Sequence, residues 1–394
     1  MSPLKISWKS LWSKPLSASL NIMLIAFGTG ILTILLLAST QIEEKLNNNS
    51  KDIDLVVGAK GSPLQLILSS IYYIDFPTGN IPLKEANELS HNPFVKRAIP
   101  LALGDNYNGV RIVGTDSNYI SLYGLKTSSG KFWKENLEAT IGINVAKEQN
   151  LKVGDTFNGA HGLTENTDIH KEHQYKVVGI LAPQGNVTDN LILTNIASVW
   201  EMHEEEGEHK EDVEGREITS LLIQYRSPMS VAMFPRMVNQ MTSLQSASPA
   251  MESTRLFSLI GVGVDTLQWF AVLIMLIAAI SVFVNLYNSL KERNYDLAIM
   301  RTLGASRTKL FIIVILEGLI LTIAGTIIGI GLGHLALELI SSYQESSQAK
   351  LSGKIFITSE LYLLLAGLAI GIFAAILPAI QAYRSNISKI LSKN

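Results

Sequence analysis

Apolar residues in this chain gather into four runs: SASLNIMLIAFGTGILTILLLA (17–38), TLQWFAVLIMLIAAISVFVNLYNSL (266–290), LFIIVILEGLILTIAGTIIGIGLGHLAL (310–337) and LYLLLAGLAIGIFAAILPAIQAY (361–383). At about 1.5 Å of helical rise per residue, each can cross a hydrocarbon layer about 30 Å thick. Four membrane-spanning helices are therefore predicted. The first run has a longer apolar core than the roughly 7–15 residues of a secretory signal, and no clear A-x-A site follows, so it reads as an uncleaved anchor.

The pattern between 40 and 265 is that of a soluble domain. IEEKLNNNSKDID extends the first span as a helix into a turn. DLVVGAKGSPL and HQYKVVGILAP hold short β-type runs bounded by Gly and Pro, and VGDTF reads as a strand after a turn. LKEANELSHNPFV and TIGINVAKEQNL predict helices. The elements interleave without a strict βαβ rhythm and without an internal repeat, which favours an α+β class. The expected organisation is an amphipathic helix and first span (1–39), a large extracytoplasmic α+β domain (40–265), and three further spans (266–394).

Charge gives the chain a direction. With 47 % hydrophobic and 17 % charged residues, the formal net charge of −2 hides a strong bias at the span ends. Lys5, Lys9 and Lys14 precede the first span. Lys291, Arg293, Arg301, Arg307 and Lys309 separate the second from the third, and Arg384, Lys389 and Lys393 follow the fourth. The positive-inside rule places these segments, and hence both termini, in the cytoplasm. In LKISWKSLWSKP, Leu4, Trp8, Leu11 and Trp12 recur at helical spacing among lysines, as in a helix lying in the lipid interface. The absence of cysteine removes thiolate ligands and Cys nucleophiles.

Candidate chemistry is sparse. GLKTSSGKF (124–132) fails as a phosphate loop, because five residues separate Gly124 from Gly130 and Phe132 stands where a Ser or Thr should bind Mg²⁺. No cofactor is expected on this chain, and any ATP chemistry must come from another one. Five of the seven histidines fall between 161 and 209, and EMHEEEGEHKEDVEGRE (201–217) carries nine acids in seventeen residues. His170, His173, His203 and His209 are candidate Zn²⁺ ligands, against the plainer reading of a solvated, mobile acidic surface. Glu317 and His334 lie inside the third span, where an ionisable residue is a functional candidate, although interfacial partners or water could satisfy each. Gly325, Gly329 and Gly333 form successive G-x-x-x-G steps, with Gly28 and Gly30 in the first span. They permit a close helix contact, either within one copy or between two. No hydrolytic triad, carboxylate pair or H-E-x-x-H pattern stands out, so catalysis by this chain is not expected, nor is a nucleic-acid partner.

The short break between the second and third spans is the most specific feature. KERNYDLAIMRTLGASRTKL places Leu297, Ile299, Met300 and Leu303 at helical spacing, and Gly304 allows a change of direction before the next span. An apolar face on so short a cytoplasmic helix suits a soluble partner. The run Arg293, Asp296, Leu297, Ala298, Ile299, Met300, Arg301, Thr302, Leu303, Gly304, Ala305, with Glu317 beyond it, resembles the signature of the MacB/FtsX-like permeases of ABC transporters. TIGINVAKEQNLKVGDTF (140–157) followed by YKVVGILAPQG (175–185) is similar to that family's periplasmic core domain, and the order of one span before and three after the domain is also the family's. Asp296 replaces a commoner Glu, and Ile387 stands after Arg384 where the family usually has Pro.

The resemblance implies a permease subunit in the bacterial inner membrane, paired with a second copy or a related chain and seated on a separate cytoplasmic ABC ATPase that holds ATP and Mg²⁺. In that reading 291–309 is the coupling helix, with Arg293, Asp296, Arg301, Leu303 and Gly304 as transmission contacts. It implies efflux or extraction of a periplasmic or outer-leaflet substrate such as a lipoprotein, peptide, drug, haem or metal-linked ligand, with a periplasmic or outer-membrane partner in some members. The alternative is an FtsX-like signalling subunit that activates a periplasmic enzyme without transport.

Overall fold

The structure, a computed structural model, describes residues 2–161, 169–203, 215–343 and 351–384. The chain forms two compact units. One comprises 1–42, 260–344 and 351–394, and the other 43–259 with 345–350.

Helix α1 (Pro3–Trp12) ends just before Pro15, which opens α2 (Pro15–Asn49). Proline lacks an N–H and disfavours helical geometry in the residue before it, so the helix breaks at Ser13 and Lys14 and restarts at Pro15. Leu4, Trp8 and Trp12 are exposed on α1, as its amphipathic pattern predicts, while Ser7 is fully buried.

The second unit is built on one sheet. Its elements run β1 (Leu55–Ala59), α3 (Pro63–Ser70), β2 (Ile81–Pro82), α4 (Leu83–Ser90), β3 (Val95–Tyr107), β4 (Val110–Thr115), α5 (Ser117–Tyr123), β5 (Thr127–Gly130), β6 (Glu138–Ile141), α6 (Ile143–Glu148), β7 (Thr156–His161) and β8 (Ile169–Leu181). They continue through β9 (Ile192–Asn195), α7 (Ile196–His203), β10 (Glu217–Ile218), β11 (Ser220–Tyr225), α8 (Pro228–Met241) and β12 (Leu244–Ala247). Among the described residues the strand order is β12-β1-β11-β3-β4-β9-β6-β8-β5, with β7 between β3 and β8, and β2 pairs β10 separately. Pairing is antiparallel except at β4–β9 and β6–β8. This is the mixed α and β character expected of residues 40–265.

Two apolar cores pack around different strands of the sheet. Leu55, Val57, Leu221 and Ile223 pack with Phe234 and Val238 of α8, whereas Ile112, Ile141, Tyr175 and Val177 pack with Phe157 and Val145 of α6. One expectation fails locally. TIGINVAKEQNL is not helical throughout, because Thr140 and Ile141 belong to β6 and the helix starts only at Ile143. A Cβ on Gly142 would strike the backbone of Asp189, so the strand passes this point under crowding that only glycine tolerates. The middle of the GLKTSSGKF segment forms β5, paired antiparallel with β8, which is not the strand-to-helix setting of a phosphate loop. Near it, Glu138 accepts from the N–H groups of Lys134 (2.8 Å) and Glu135 (3.2 Å) and from the Lys131 ammonium (2.9 Å). Desolvation pushes this carboxyl up, but those donors outweigh it and hold it at about 2.

The remaining helices are α9 (Pro249–Glu292), α10 (Asn294–Thr302), α11 (Arg307–Ser342) and α12 (Glu360–Arg384). Helices α2, α9, α11 and α12 are long and apolar enough to cross a membrane, matching the four predicted spans. Two run furthest past the apolar runs that announced them: α2 has 35 residues and α9 has 44. Hydropathy marks the stretch that suits hydrocarbon, while helical hydrogen bonding continues through polar helix formers such as those of IEEKL.

Candidate functional site

The turn between α9 and α11 is built around Arg293. Helix α9 stops at Glu292, Arg293 leaves helical geometry at φ −97° and ψ 14°, and α10 follows at once. Arg293 Nη2 donates to both carboxylate oxygens of Glu317 at 3.0 Å, Nη1 donates to Ser10 Oγ, and Nε reaches Ser289 O at 3.5 Å. The Glu317 side chain is 2 % exposed. One nitrogen of the planar guanidinium thus holds both carboxylate oxygens, while its other two nitrogens reach Ser10 and Ser289 in the same plane, a spread of donors that a lysine's single nitrogen lacks. Beside it, Ser7 Oγ donates to Ile313 O at 2.9 Å, and Lys14 pairs with Glu292. One buried ion pair thus fastens the end of α9, the first helix and α11 together.

In this geometry the Arg293 guanidinium is engaged inside the unit, and Glu317 finds its partner at the basic end of its span, as its position allowed. The signal was the acidic residue inside the third span; its partner 24 positions earlier was not legible from local pattern.

Helix α10 is two-sided in a way that its spacing did not predict. Leu297 and Ala298 are buried, and Leu297 packs with Leu290, Leu310, Val314 and Ala379, with Met300 alongside. Ile299 and Leu303 instead face outward, at 38 % and 82 % exposure, with Tyr295 and Asp296 also exposed. The four apolar residues therefore do not form one face. Arg301 is half-buried and engaged within the chain. Gly304 follows the helix at φ +96°, in the left-handed region, and Ser306 Oγ then caps α11 by accepting from Lys309 N–H at 3.2 Å. The helix occupies 294–302 rather than 291–309, since Gly304 ends it and the flanking residues belong to the spans.

The glycines of the third span lie against the first. A Cβ on Gly325 would meet Ile25 at 2.7 Å, one on Gly329 would meet Ala26 O at 2.6 Å, and one on Gly333 would meet Thr33 at 2.7 Å. Gly30 faces Gly329 O at 3.2 Å, and Gly28 lies against Met275 of α9. Of the two settings the sequence allowed, this close approach is made within one copy. A second small-residue seam, Gly318 against Gly371 and Ala375, joins α11 to α12.

His334 also differs from expectation. It is 8 % exposed rather than wet, with Nδ1 2.6 Å from Gly353 O, Nε2 3.1 Å from Glu360 Oε2, and its ring 4.3 Å from that of Phe356. Of the candidate zinc ligands, His173 lies half-buried on β8. His170 and His203 lie in β8 and α7 with side chains outside the described residues, and His209 and most of 201–217 also lie outside them. Among the described residues no group of three or more metal-type ligands is present.

Comparison with known proteins gives these features a setting. Residues 18–240 match the MacB-like periplasmic core domain family, and 269–387 match the FtsX-like permease C-terminal family. An uncharacterized ABC transporter permease of Methanocaldococcus jannaschii is 24 % identical over 267 residues, 64 % of this chain. The match spans 63 % of that relative's length, just under two thirds. The lipoprotein-releasing system transmembrane protein LolE of Haemophilus influenzae is 25 % identical over 443 aligned positions, covering all of both chains. Among solved structures, the periplasmic region of MacB from Actinobacillus actinomycetemcomitans aligns with 54 % of this chain and 97 % of its own, at 12 % identity and a TM-score of 0.35.

Proposed function

This chain belongs to the ABC transporter permeases of the MacB/FtsX type, and from that premise we propose that it carries ATPase-driven motion from the cytoplasm to its extracytoplasmic domain. Family membership brings a cytoplasmic ATPase partner, a dimeric arrangement and a multi-pass place in the inner membrane. In the proposed reading both termini and α10 are cytoplasmic, as the span-end lysines and arginines require. A second copy of this chain completes the dimer, and the substrate is a periplasmic or outer-leaflet molecule.

The observation that supports this reading is the split of α10. One side, Leu297 and Ala298, is buried in its own unit, while Leu303 and Ile299 project outward beside Asp296. A helix fixed on one side and apolar on the other is suited to seat in a groove on a soluble protein. Leu303 is the apolar anchor, Asp296 a charge for the groove, and Gly304 the pivot between this helix and the third span. Arg301 braces the helix from its half-buried position. Arg293 holds the base of α10 rather than meeting the ATPase.

Affinity purification of the tagged chain from its native membrane in mild detergent tests this. A stoichiometric ABC ATPase is expected. Leu303→Asp is expected to release it while the permease stays folded, and Arg301→Glu to uncouple hydrolysis from activity. No ATPase under any condition that preserves the complex would refute the reading.

A further inference from the structure

Helices α2 and α9 overrun what a membrane requires. At about 1.5 Å per residue, 35 and 44 residues far exceed the roughly 20 needed to span. Part of each surplus, 43–49 of α2 and 249–259 of α9, lies in the extracytoplasmic unit, where α2 ends at Asn49 and α9 begins at Pro249. Both ends meet a cluster of tyrosines, Tyr72, Tyr73 and Tyr119 buried and Tyr123 half-buried, to which neither the family resemblance nor the coupling site assigns a role.

Tyr72 is 5 % exposed. Its hydroxyl donates to Leu46 O in the last turn of α2 at 3.3 Å and lies 3.0 Å from Ser253 Oγ in the first turns of α9. With its one proton directed at Leu46, it can accept from Ser253, so a single oxygen joins the two helices. Tyr123 reinforces the first tie by donating to Asn49 O at 2.8 Å, a helix-terminal carbonyl with no partner of its own in α2. The Asn49 side chain in turn accepts from Val187 N–H at 2.9 Å.

The next residue braces the joint. Tyr73 sits at φ +56°, a left-handed geometry that a bulky residue adopts only when its surroundings enforce it. It is fully enclosed, and its hydroxyl lies 3.0 Å from that of Tyr119. The Tyr119 and Tyr123 rings lie 4.9 Å apart. Desolvation pushes all four hydroxyls above the ordinary tyrosine pKa, so the joint keeps its protons across the physiological range.

We propose that Tyr72 is a positioning residue that locks the outer ends of α2 and α9 to each other and to the sheet domain, so that movement of either helix moves the domain as one body. The proposal rests on the permease reading above. Tyr72→Phe keeps the ring and its packing and deletes only the shared oxygen. Ser253→Ala releases α9 alone, and Ser253→Thr retains the hydroxyl.

The test uses the full complex with its ATPase. Because the chain has no cysteine, Asn48→Cys and Thr254→Cys carry spin labels cleanly on the two helix ends. A single label at Asn48 reports the separation between the two copies. The joined protein is expected to show a narrow 48–254 distance distribution, unchanged by nucleotide, and a separation between copies that shifts when ATP is added. Tyr72→Phe and Ser253→Ala are expected to broaden the first and reduce the second, with hydrolysis and the fold of the domain retained. The loosened population should grow about fivefold, as for loss of one buried hydrogen bond. Ser253→Thr should behave as the parent does. Parent-like distributions and a full ATP-driven shift in Tyr72→Phe would overturn the joint alone. Absence of any ATP-driven shift in the parent would overturn the permease reading, and the proposal with it.

Discussion

Removing Glu317 tests whether one buried ion pair holds the cytoplasmic ends of the spans together. Glu317→Leu leaves the Arg293 guanidinium, 22 % exposed at its side chain, facing a cavity with only Ser10 and a carbonyl as partners. Two unit charges about 4 Å apart attract by about 4 kcal/mol at an effective dielectric near 20, and most of that offsets the desolvation of both groups. Breaking such a pair from one side typically costs about 3–5 kcal/mol, because the remaining charge stays buried and unpaired. Replacing both partners by apolar residues of similar volume is often neutral. The assay is thermal unfolding in detergent of Glu317→Leu, Arg293→Met and the double variant. Each single variant is expected to melt on the order of 10 °C lower, and the double variant to recover most of the loss. Single variants within about 1 kcal/mol of the parent, or a double variant as unstable as the sum of the singles, would refute the reasoning.

Gly329→Val is expected to destabilise the contact between α2 and α11 by about 1–3 kcal/mol, since the new side chain strikes Ala26 and Thr29, whereas Gly331→Ala, with open space around it, should leave the melting curve unchanged. The Glu138 carboxyl, lowered from 4.5 to about 2 on folding, contributes stability that is fully present above pH 4.5 and lost as pH falls towards 2. Acid unfolding of the full chain, followed by the fluorescence of buried Trp133, should therefore lose part of its steepness in that window in Glu138→Gln. A serine at Arg301 should weaken hydrolysis-coupled activity less than Arg301→Glu does, which parallel activity and ATPase assays on the purified complex would check.

Much of this protein was legible along the chain because a bilayer imposes local rules. Every backbone group inside hydrocarbon must be satisfied within its own helix, so each span announces itself in consecutive residues such as 310–337, without reference to the rest of the fold. The turn at Gly304 and the break at Pro15 are equally local, since proline and glycine restrict or release the backbone where they stand, whereas the break at Gly142 answers to the distant backbone of Asp189. The sequence also marked Glu317, His334 and the glycines of α11 as unusual for hydrocarbon. What it could not supply was their partners. Arg293 is 24 positions from Glu317, and Ile25, Ala26 and Thr33 are hundreds of positions from the glycines they touch; such pairings arise only when helices pack. The same holds for which face of α10 is buried, since Leu297 and Leu303 are alike in hydropathy and differ only in what stands beside them. The tyrosine joint was invisible for the same reason. Its four hydroxyls come from the turn after α3 and from α5, and only the folded domain brings them to the ends of the two long helices.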